Sequence, residues 1–246
     1  MLIAILSDIH ANREAFEASL AQARAAHAER FVILGDIVGY GADPQFCTEK
    51  TMELAAAGAI VIRGNHDQAV GDPDNGMNSS ARAAIDWTRW QLGPEARAFL
   101  AALPLEQSED DRLYVHADAT APARWNYVTD SQDARRHLMA TPASVSFCGH
   151  IHRPALYGLS DAGKVTAFTP RTMAAVPLPS QRRWLGVMGS VGQPRDGNPM
   201  AAWGLYDTKT RELRYMRTAY DIDSAAAKIR AAGLPESLAT RLERGM

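Results

Sequence analysis

The chain has 246 residues, of which 46% are hydrophobic, a formal net charge of −2 and a pI near 6.4. These values predict one large domain over residues 1–246 with a full apolar core. The charge argues against a general nucleic-acid or membrane surface, and the two cysteines, Cys47 and Cys148, exclude a disulfide framework. Because no apolar run is long enough for a signal sequence or a membrane span, we expect a cytoplasmic protein.

The first stretch is a short aliphatic run that stops at Ser7-Asp8-Ile9-His10. The run does not alternate with polar residues, which is typical of a strand buried on both faces. Ligands of open α/β sheets bind beyond the carboxyl ends of the strands. The sequence therefore places two potential metal ligands, Asp8 and His10, at a position where binding sites occur.

Two further apolar runs, Phe31–Leu34 and Ala59–Ile62, each follow a predicted helix, the first over 12–29 and the second over 44–57. This alternation predicts two βαβ units and a parallel sheet, so the strand ends should share one edge. The second strand ends in Gly35-Asp36 and the third in Gly64-Asn65-His66-Asp67.

Beyond residue 70 the predicted elements are less regular. We predict a surface loop over 71–77, helices over 78–92, 94–103 and 130–139, a hairpin over 105–115 and an irregular segment over 119–127 at the rim of the site. Trp87 and Trp90 are predicted to lie in the core, whereas His27 and His137 lie in helical stretches as surface or packing residues.

The hairpin ends in His116, and a fifth buried strand over 144–148 ends in His150 and His152. If residues 150–152 are extended, the two imidazoles point the same way because the side-chain period of a strand is two. From residue 155 short strands alternate with turns, which predicts an antiparallel or mixed second sheet followed by two C-terminal helices.

Seven side chains at the predicted strand ends are potential metal ligands: Asp8, His10, Asp36, Asn65, His116, His150 and His152. The set is too large for one tetrahedral structural zinc and contains no thiolate. It suits two borderline or hard divalent ions with open positions, the arrangement used for in-line phosphoryl displacement. Asp36, on the middle strand end, is the natural carboxylate to bridge them.

These motifs stand in the order found in a known superfamily. Asp8-Ile9-His10, Gly35-Asp36, Gly64-Asn65-His66-Asp67, His116 and Gly149-His150-Ile151-His152 resemble those of the calcineurin-like dinuclear metallophosphoesterases, in particular the small bacterial phosphodiesterase-type members. The loop Gly189–Gly197 extends the resemblance over most of the chain. With the strand pattern, the resemblance implies a four-layer α/β/β/α sandwich of two mixed sheets flanked by helices. Periodicity alone predicts a three-stranded parallel core and a β-rich second half.

The resemblance also implies roles for individual residues. Asp8, His10, Asp36 and His152 would hold one ion, and Asp36, Asn65, His116 and His150 the other. A hydroxide between the ions would attack phosphorus, His66 would protonate the leaving oxygen, and Asp67 would orient His66. Asn12 and Tyr40 would contact the phosphate, although a helix cap is an equal alternative for Asn12. We expect manganese as the metal, with iron, zinc, nickel or cobalt as alternatives.

The implied activity is metal-dependent hydrolysis of phosphodiester or nucleotide phosphoanhydride bonds. Small nucleotides and short single-stranded nucleic acids are both compatible substrates, whereas the near-neutral charge disfavours long duplexes and a membrane partner. Two alternatives remain open. A protein phosphatase is opposed by Gly39-Tyr40, which stand where that branch carries Asp-Arg, and a non-catalytic metal-binding scaffold is opposed by the presence of His66.

Overall fold

The computed structural model describes residues 1–72 and 76–246, so the middle of the loop predicted over 71–77 lies outside the described residues. Twelve strands are present in the described chain: β1 (Leu2–Leu6), β2 (Arg30–Ile33), β3 (Ile60–Val61), β4 (Glu106–Glu109), β5 (Arg112–Val115), β6 (Val145–Cys148), β7 (Ala155–Ser160), β8 (Val165–Phe168), β9 (Ala175–Pro177), β10 (Arg182–Val187), β11 (Ala201–Asp207) and β12 (Glu212–Thr218).

Eight α-helices lie between and after these strands within the described residues: α1 (Arg13–Ala25), α2 (Pro44–Ala56), α3 (Asn65–Ala69), α4 (Ser79–Gln91), α5 (Pro94–Ala102), α6 (Ser131–Met139), α7 (Ile222–Ala231) and α8 (Glu236–Arg244). None of these helices has the length and apolar character that a membrane span requires. The first helix ends earlier than predicted because His27, with φ of 59°, reverses the chain into β2.

The strands form two six-stranded sheets. The first has the order β3-β2-β1-β11-β12-β9, with β1, β2 and β3 parallel and β11 antiparallel to β1. The second has the order β4-β5-β6-β10-β7-β8, with β5, β6 and β10 parallel. The predicted parallel core is therefore confirmed, and both sheets are mixed.

The sequence predicts that the strands after residue 155 form a second sheet of their own, and this prediction is wrong. Strands β7, β8 and β10 extend the sheet of β5 and β6, whereas β11 and β12 return to pair beside β1. A local alternation pattern indicates a strand but does not encode its partner. Here the open edge of β1 is filled by β11, which is buried over residues 201–206.

The two sheets pack face to face through a buried apolar layer that includes Ile5 and Val32 of the first sheet and Phe147 and Trp184 of the second. Helices α1, α2 and α5 cover the outer face of the first sheet, and α6 covers that of the second. This arrangement confirms the four-layer α/β/β/α sandwich. Both cysteines are buried and free.

The C-terminal helices α7 and α8 form a hairpin that packs against α4 and behind Tyr40. Trp87 of α4 is half-buried beside this hairpin. The prediction of a core position for Trp90 is wrong, because its side chain is 86% exposed. The two tryptophans are three residues apart, but of the two, Trp87 alone packs against a hydrophobic cluster of the described residues.

His137 of α6 is fully buried, and its Nδ1 accepts a hydrogen bond from the Ala119 amide at 3.2 Å. Burial lowers the pKa of this imidazole to about 4. Because the folded-state pKa lies below the unfolded value, the neutral imidazole contributes stability above pH ~6.5 that is lost as the pH falls toward 4. The pKa difference corresponds to about 3 kcal/mol.

We therefore expect the free energy of unfolding of wild type to fall more steeply between pH 6.5 and 4.5 than that of His137→Gln, by about 2 to 3 kcal/mol over this range. Urea denaturation across this pH range measures the difference. His27→Gln, which replaces an exposed histidine, should retain the wild-type pH dependence. An imidazole of His137 that titrates near pH 6.5 by NMR contradicts the prediction.

Candidate metal centre

The predicted ligands converge at one edge of the fold, directly after the buried strands that carry them. Five of them have left-handed backbone conformations with φ between 49° and 68°: Asp8, His10, Asp36, His150 and His152. This region is unfavourable for residues other than glycine and is concentrated at functional sites. The sharp turns also show that residues 150–152 are not extended, so the predicted strand-like spacing of the two histidines is wrong.

The side chains form two groups that share Asp36. Asp8, His10, Asp36 and His152 make up the first group, and the ligand atoms within it lie within 4.8 Å of one another. Asp36, His116 and His150 make up the second group at the same spacing. His152 Nε2 lies 3.2 Å from Asp8 Oδ1, and His116 Nε2 lies 3.4 Å from Asp36 Oδ2.

Asn65 completes the second group, since its Oδ1 lies 3.3 Å from His116 Nε2. The structure thus brings all seven predicted ligand residues together and divides them as the resemblance implies. Their binding of metal stays a prediction.

Each carboxylate directs one oxygen toward the centre. Asp8 Oδ2 accepts a hydrogen bond from the His150 amide at 3.0 Å, and Asp36 Oδ1 accepts one from the His66 amide at 2.8 Å. The remaining oxygens, Asp8 Oδ1 and Asp36 Oδ2, are buried without a hydrogen-bond donor among the described residues. Buried carboxylate oxygens without donors are costly unless a cation lies beside them.

The four imidazoles are oriented by backbone carbonyls. His10 Nδ1 donates to Val38 O (3.1 Å), His116 Nδ1 to Leu34 O (2.7 Å), His152 Nδ1 to Gln193 O (2.6 Å) and His150 Nε2 to Trp125 O (2.9 Å). A carbonyl oxygen only accepts, so each donating nitrogen carries the proton and the other presents a lone pair to the centre. Metal-binding histidines usually donate their other ring N–H to a carbonyl or carboxylate in this way, which fixes the orientation of the ring.

The nitrogens that face the centre lie close to one another. His10 Nε2 lies 3.0 Å from His152 Nε2, and His116 Nε2 lies 3.1 Å from His150 Nδ1. The lone pairs of His10 and His152 repel each other at this distance, and a divalent cation between these imidazoles and the free carboxylate oxygens relieves the repulsion. The donor set therefore fits two borderline divalent cations.

The pKa directions give these groups the protonation states of ligands. Burial acts to raise the pKa of the Asp36 carboxyl, but His116 and His66 outweigh it and hold the pKa well below its usual range. Burial, followed by the charge of His116, lowers the pKa of His150 to about 3. His116 is the exception, since Asp36 overcomes the effect of burial and raises its pKa to about 9.

His66 is buried beside the two groups, with its ring 4.8 Å from that of His10 and 4.4 Å from that of Tyr40. Burial lowers the pKa of its imidazole to about 4, so the ring is neutral at pH 7. Its Nδ1 has no hydrogen-bond partner among the described residues and faces Gly39, where an added Cβ would lie 2.3 Å away. In the described part of the chain, this ring is therefore oriented by packing against Gly39, Tyr40 and His10.

Among the described residues, the Asp67 carboxylate is bonded to backbone amides and not to the His66 ring, so the structure gives no support to its predicted orienting role. Its Oδ1 accepts hydrogen bonds from the Ile37 and Val38 amides, and its Oδ2 accepts one from the Gly64 amide. The carboxylate ties the loop after β2 to the turn before α3. Burial and the charge of Asp36 raise its pKa to about 7.

Asn12 caps a helix, which was the alternative to a phosphate contact. Its Oδ1 caps α1 by accepting from the Ala15 amide at 3.1 Å, and its Nδ2 donates to Gly192 O at 2.9 Å. Both ends of the amide are occupied, so we do not retain Asn12 as a phosphate contact. Tyr40, by contrast, lines the open cavity beside His66.

The centre lies at the base of a cavity of about 700 Å³. Its walls include Arg124, Trp125 and Tyr127, which confirms the predicted rim segment, together with Gly76 and Met77 from the edge of the loop after α3. The ring of Tyr127 stacks on that of His150 at 4.3 Å and is 54% exposed.

Sequence reasoning missed Gln193 and Arg195, which lie in the Gly189–Gly197 loop after β10. Gln193 holds His152 through its carbonyl, and Arg195 lines the cavity. The available signal was a Gln-Pro-Arg sequence in a glycine-rich loop, at the end of a strand that is parallel to β6.

Known proteins resemble this chain along its length. A family model for the calcineurin-like phosphoesterase superfamily domain matches residues 1–211. An uncharacterized protein of Methanocaldococcus jannaschii is 33% identical over 251 residues, which cover 99% of this chain and 98% of the relative. The crystal structure of a metallophosphoesterase from Sphaerobacter thermophilus is 35% identical with a TM-score of 0.89, over 100% of this chain and 99% of that one. A hypothetical protein from Pyrococcus horikoshii shares the fold at 21% identity, with a TM-score of 0.80 over 100% of this chain and 98% of that one.

Proposed function

Because the chain belongs to the calcineurin-like phosphoesterase superfamily, we propose that it is a metal-dependent phosphoesterase that hydrolyses phosphodiester bonds or the phosphoanhydride bonds of nucleotides. The observation that carries this proposal is the pair of groups that share Asp36 beside the buried imidazole of His66. Positioned ligands without an adjacent acid would fit a metal-binding scaffold, whereas His66 at the cavity supports an enzyme.

In this proposal the first group, which includes Asp36, holds one divalent cation. The second group, again with Asp36 and completed by Asn65, holds the other. Manganese is the proposed metal. When bound, two such cations supply Lewis-acid stabilisation of phosphate oxygens and lower the pKa of a water molecule.

His66 acts on the leaving group. Its imidazole is neutral in the free site, and the negative charge of a phosphate beside it raises its pKa, so that it carries a proton in the complex. It then donates this proton to the leaving oxygen. Tyr40 packs against the ring of His66 and contacts the phosphate from the same side.

A cavity of about 700 Å³ supports a small substrate, since it is in the size range of sites for nucleotide-sized molecules. A nucleotide or the end of a short single strand of nucleic acid matches this volume. The protein-phosphatase branch carries an Asp-Arg pair where this chain has Gly39-Tyr40. Because Gly39 has no carboxylate to orient His66, this position does not support a protein phosphatase.

The proposal is tested by hydrolysis of bis-p-nitrophenyl phosphate and p-nitrophenyl phosphate with metal-stripped protein, before and after addition of Mn²⁺. We expect Mn²⁺-dependent cleavage of the diester in preference to the monoester. If neither ester nor a panel of nucleotides is cleaved while two metal ions bind, the scaffold interpretation is correct. Cleavage of phosphopeptides without cleavage of any diester would establish a protein phosphatase.

Gly39 offers a test of how His66 is positioned. In Gly39→Ala the added methyl group meets the His66 ring, so we expect kcat to fall roughly 100-fold, as for a small misplacement of a catalytic group. Metal content by elemental analysis should not change. Gly58→Ala is the matched control, because Gly58 has a similar φ of 94° and open space at the Cβ position. It should lose stability but keep its kcat, and equal kcat losses in the two variants would contradict the prediction.

A further inference from the structure

Arg195 places a positive charge in the cavity. Its side chain is half-buried, lines the same cavity as Asp36 and His66, and lies with its guanidinium carbon 5.5 Å from the centre of the Tyr40 ring. Tyr40 in turn packs on the His66 ring at 4.4 Å. The guanidinium therefore lies on the same side of the cavity as His66, the proposed acid.

No carboxylate among the described residues neutralises the charge of Arg195. None lies within ion-pair distance of its guanidinium, whereas Arg211, Arg217 and Arg230 each have at least one such partner. Its side-chain partner is the neutral Gln193, whose Oε1 accepts from Nε at 3.2 Å and from Nη2 at 2.7 Å. Nη1 has no acceptor in the part of the chain that the structure describes. A half-buried arginine is usually paired, so this arrangement leaves the fork available to an anion.

The loop that carries Arg195 is held rigidly against the metal centre. Gln193 is 1% exposed, its amide donates to Ser190 Oγ at 2.8 Å, and its carbonyl accepts from His152 Nδ1. The Arg195 amide donates to His152 O at 3.1 Å. One residue, Gln193, thus orients a predicted metal ligand with its backbone and Arg195 with its side chain. Preorganisation of this kind is typical of a binding group.

We propose that Arg195 binds the phosphate group of the substrate. Its guanidinium supplies a positive charge that this chain lacks at Gly39-Tyr40, where the protein-phosphatase branch carries Asp-Arg. This inference rests on the proposed function. A guanidinium presents two parallel N–H donors that match two oxygens of a tetrahedral phosphate, and the bond is strengthened by charge. Nε and one N–H of Nη2 are directed to Gln193 Oε1, so Nη1 and the second N–H of Nη2 are the donors left for a ligand in the cavity.

Binding of inorganic phosphate by the Mn²⁺-loaded protein tests this role. Calorimetry should show that Arg195→Gln weakens phosphate binding roughly 10- to 100-fold, as expected for loss of a charged hydrogen bond. Arg195→Lys should bind with intermediate affinity, because it keeps the charge and loses the fork. Arg153→Gln is the matched control, since Arg153 is exposed, carries the same charge and donates its Nε hydrogen bond to the backbone carbonyl of Arg195. It should bind phosphate as wild type does.

Metal content and melting temperature are measured for each variant, so that loss of the metal centre or of the fold is recognised. Wild-type affinity in a folded, metal-loaded Arg195→Gln, or absence of phosphate binding by wild type, overturns the proposal for Arg195. Failure of the hydrolase proposal would give a different result from failure of the proposal for Arg195. If wild type cleaves no phosphoester but binds phosphate in an Arg195-dependent way, the anion site stands and the hydrolase proposal falls.

Discussion

Asp36→Asn is expected to abolish turnover, with a loss on the order of 10³-fold or more, and to weaken both metal sites at once. Asp36 is the one side chain that belongs to both groups of potential ligands, and its Oδ2 is buried without a donor among the described residues. The asparagine retains Oδ1, which accepts from the His66 amide, but places an N–H donor where the cations require a lone pair. Elemental analysis and the diester assay measure the two effects.

Asp8→Asn separates the bridging role from simple ligation. Asp8 belongs to the first group alone, so this variant should weaken one metal site and leave the site of His116 and His150 occupied. Asp161→Asn, at an exposed position, should resemble wild type in both measurements. If Asp36→Asn retains two bound ions and normal turnover, the shared-carboxylate centre is refuted.

His66→Gln is expected to lower kcat roughly 10²- to 10⁴-fold, the usual contribution of a general acid, without loss of bound metal. His66 belongs to neither group of potential ligands. The size of the loss should depend on the leaving group. A p-nitrophenolate ion leaves readily without protonation, so its esters should lose less activity than a nucleoside diester, whose alkoxide must be protonated.

The comparison of the two leaving groups separates acid catalysis from other roles of His66. A structural or phosphate-binding role would reduce cleavage of both substrates by the same factor. Equal losses, or a fall in metal content, would therefore count against His66 as the acid. His27→Gln, which changes an exposed histidine far from the centre in sequence, should leave both rates unchanged.

Several features of the site were predictable because they follow from strand chemistry alone. Short aliphatic runs that do not alternate indicate buried strands, and the carboxyl ends of parallel strands meet at one edge. Asp8 and Asp36 each follow such a run after one residue, and His116 directly follows the predicted hairpin strand, so their convergence could be predicted without coordinates.

The roles of polar residues beside the ligands were less predictable. Asp67 follows His66 in sequence, which suggested that it orients the imidazole, yet its carboxylate accepts from three backbone amides of neighbouring loops. The expectation for Trp90 failed for a related reason, because burial depends on whether another element covers that face of α4. Contacts between elements decide both cases.

Residue types and their local order were enough to predict the buried strands, the ligand types at their ends and the family to which these motifs belong, since strand burial and metal preference depend on them. The pairing of β11 with β1, the packing of Gly39 against His66 and the position of Arg195 above Tyr40 became visible in the folded chain alone. Each of these contacts joins segments that are distant in sequence. Their contacts arise from the packing of the two sheets and their loops, which no local pattern specifies.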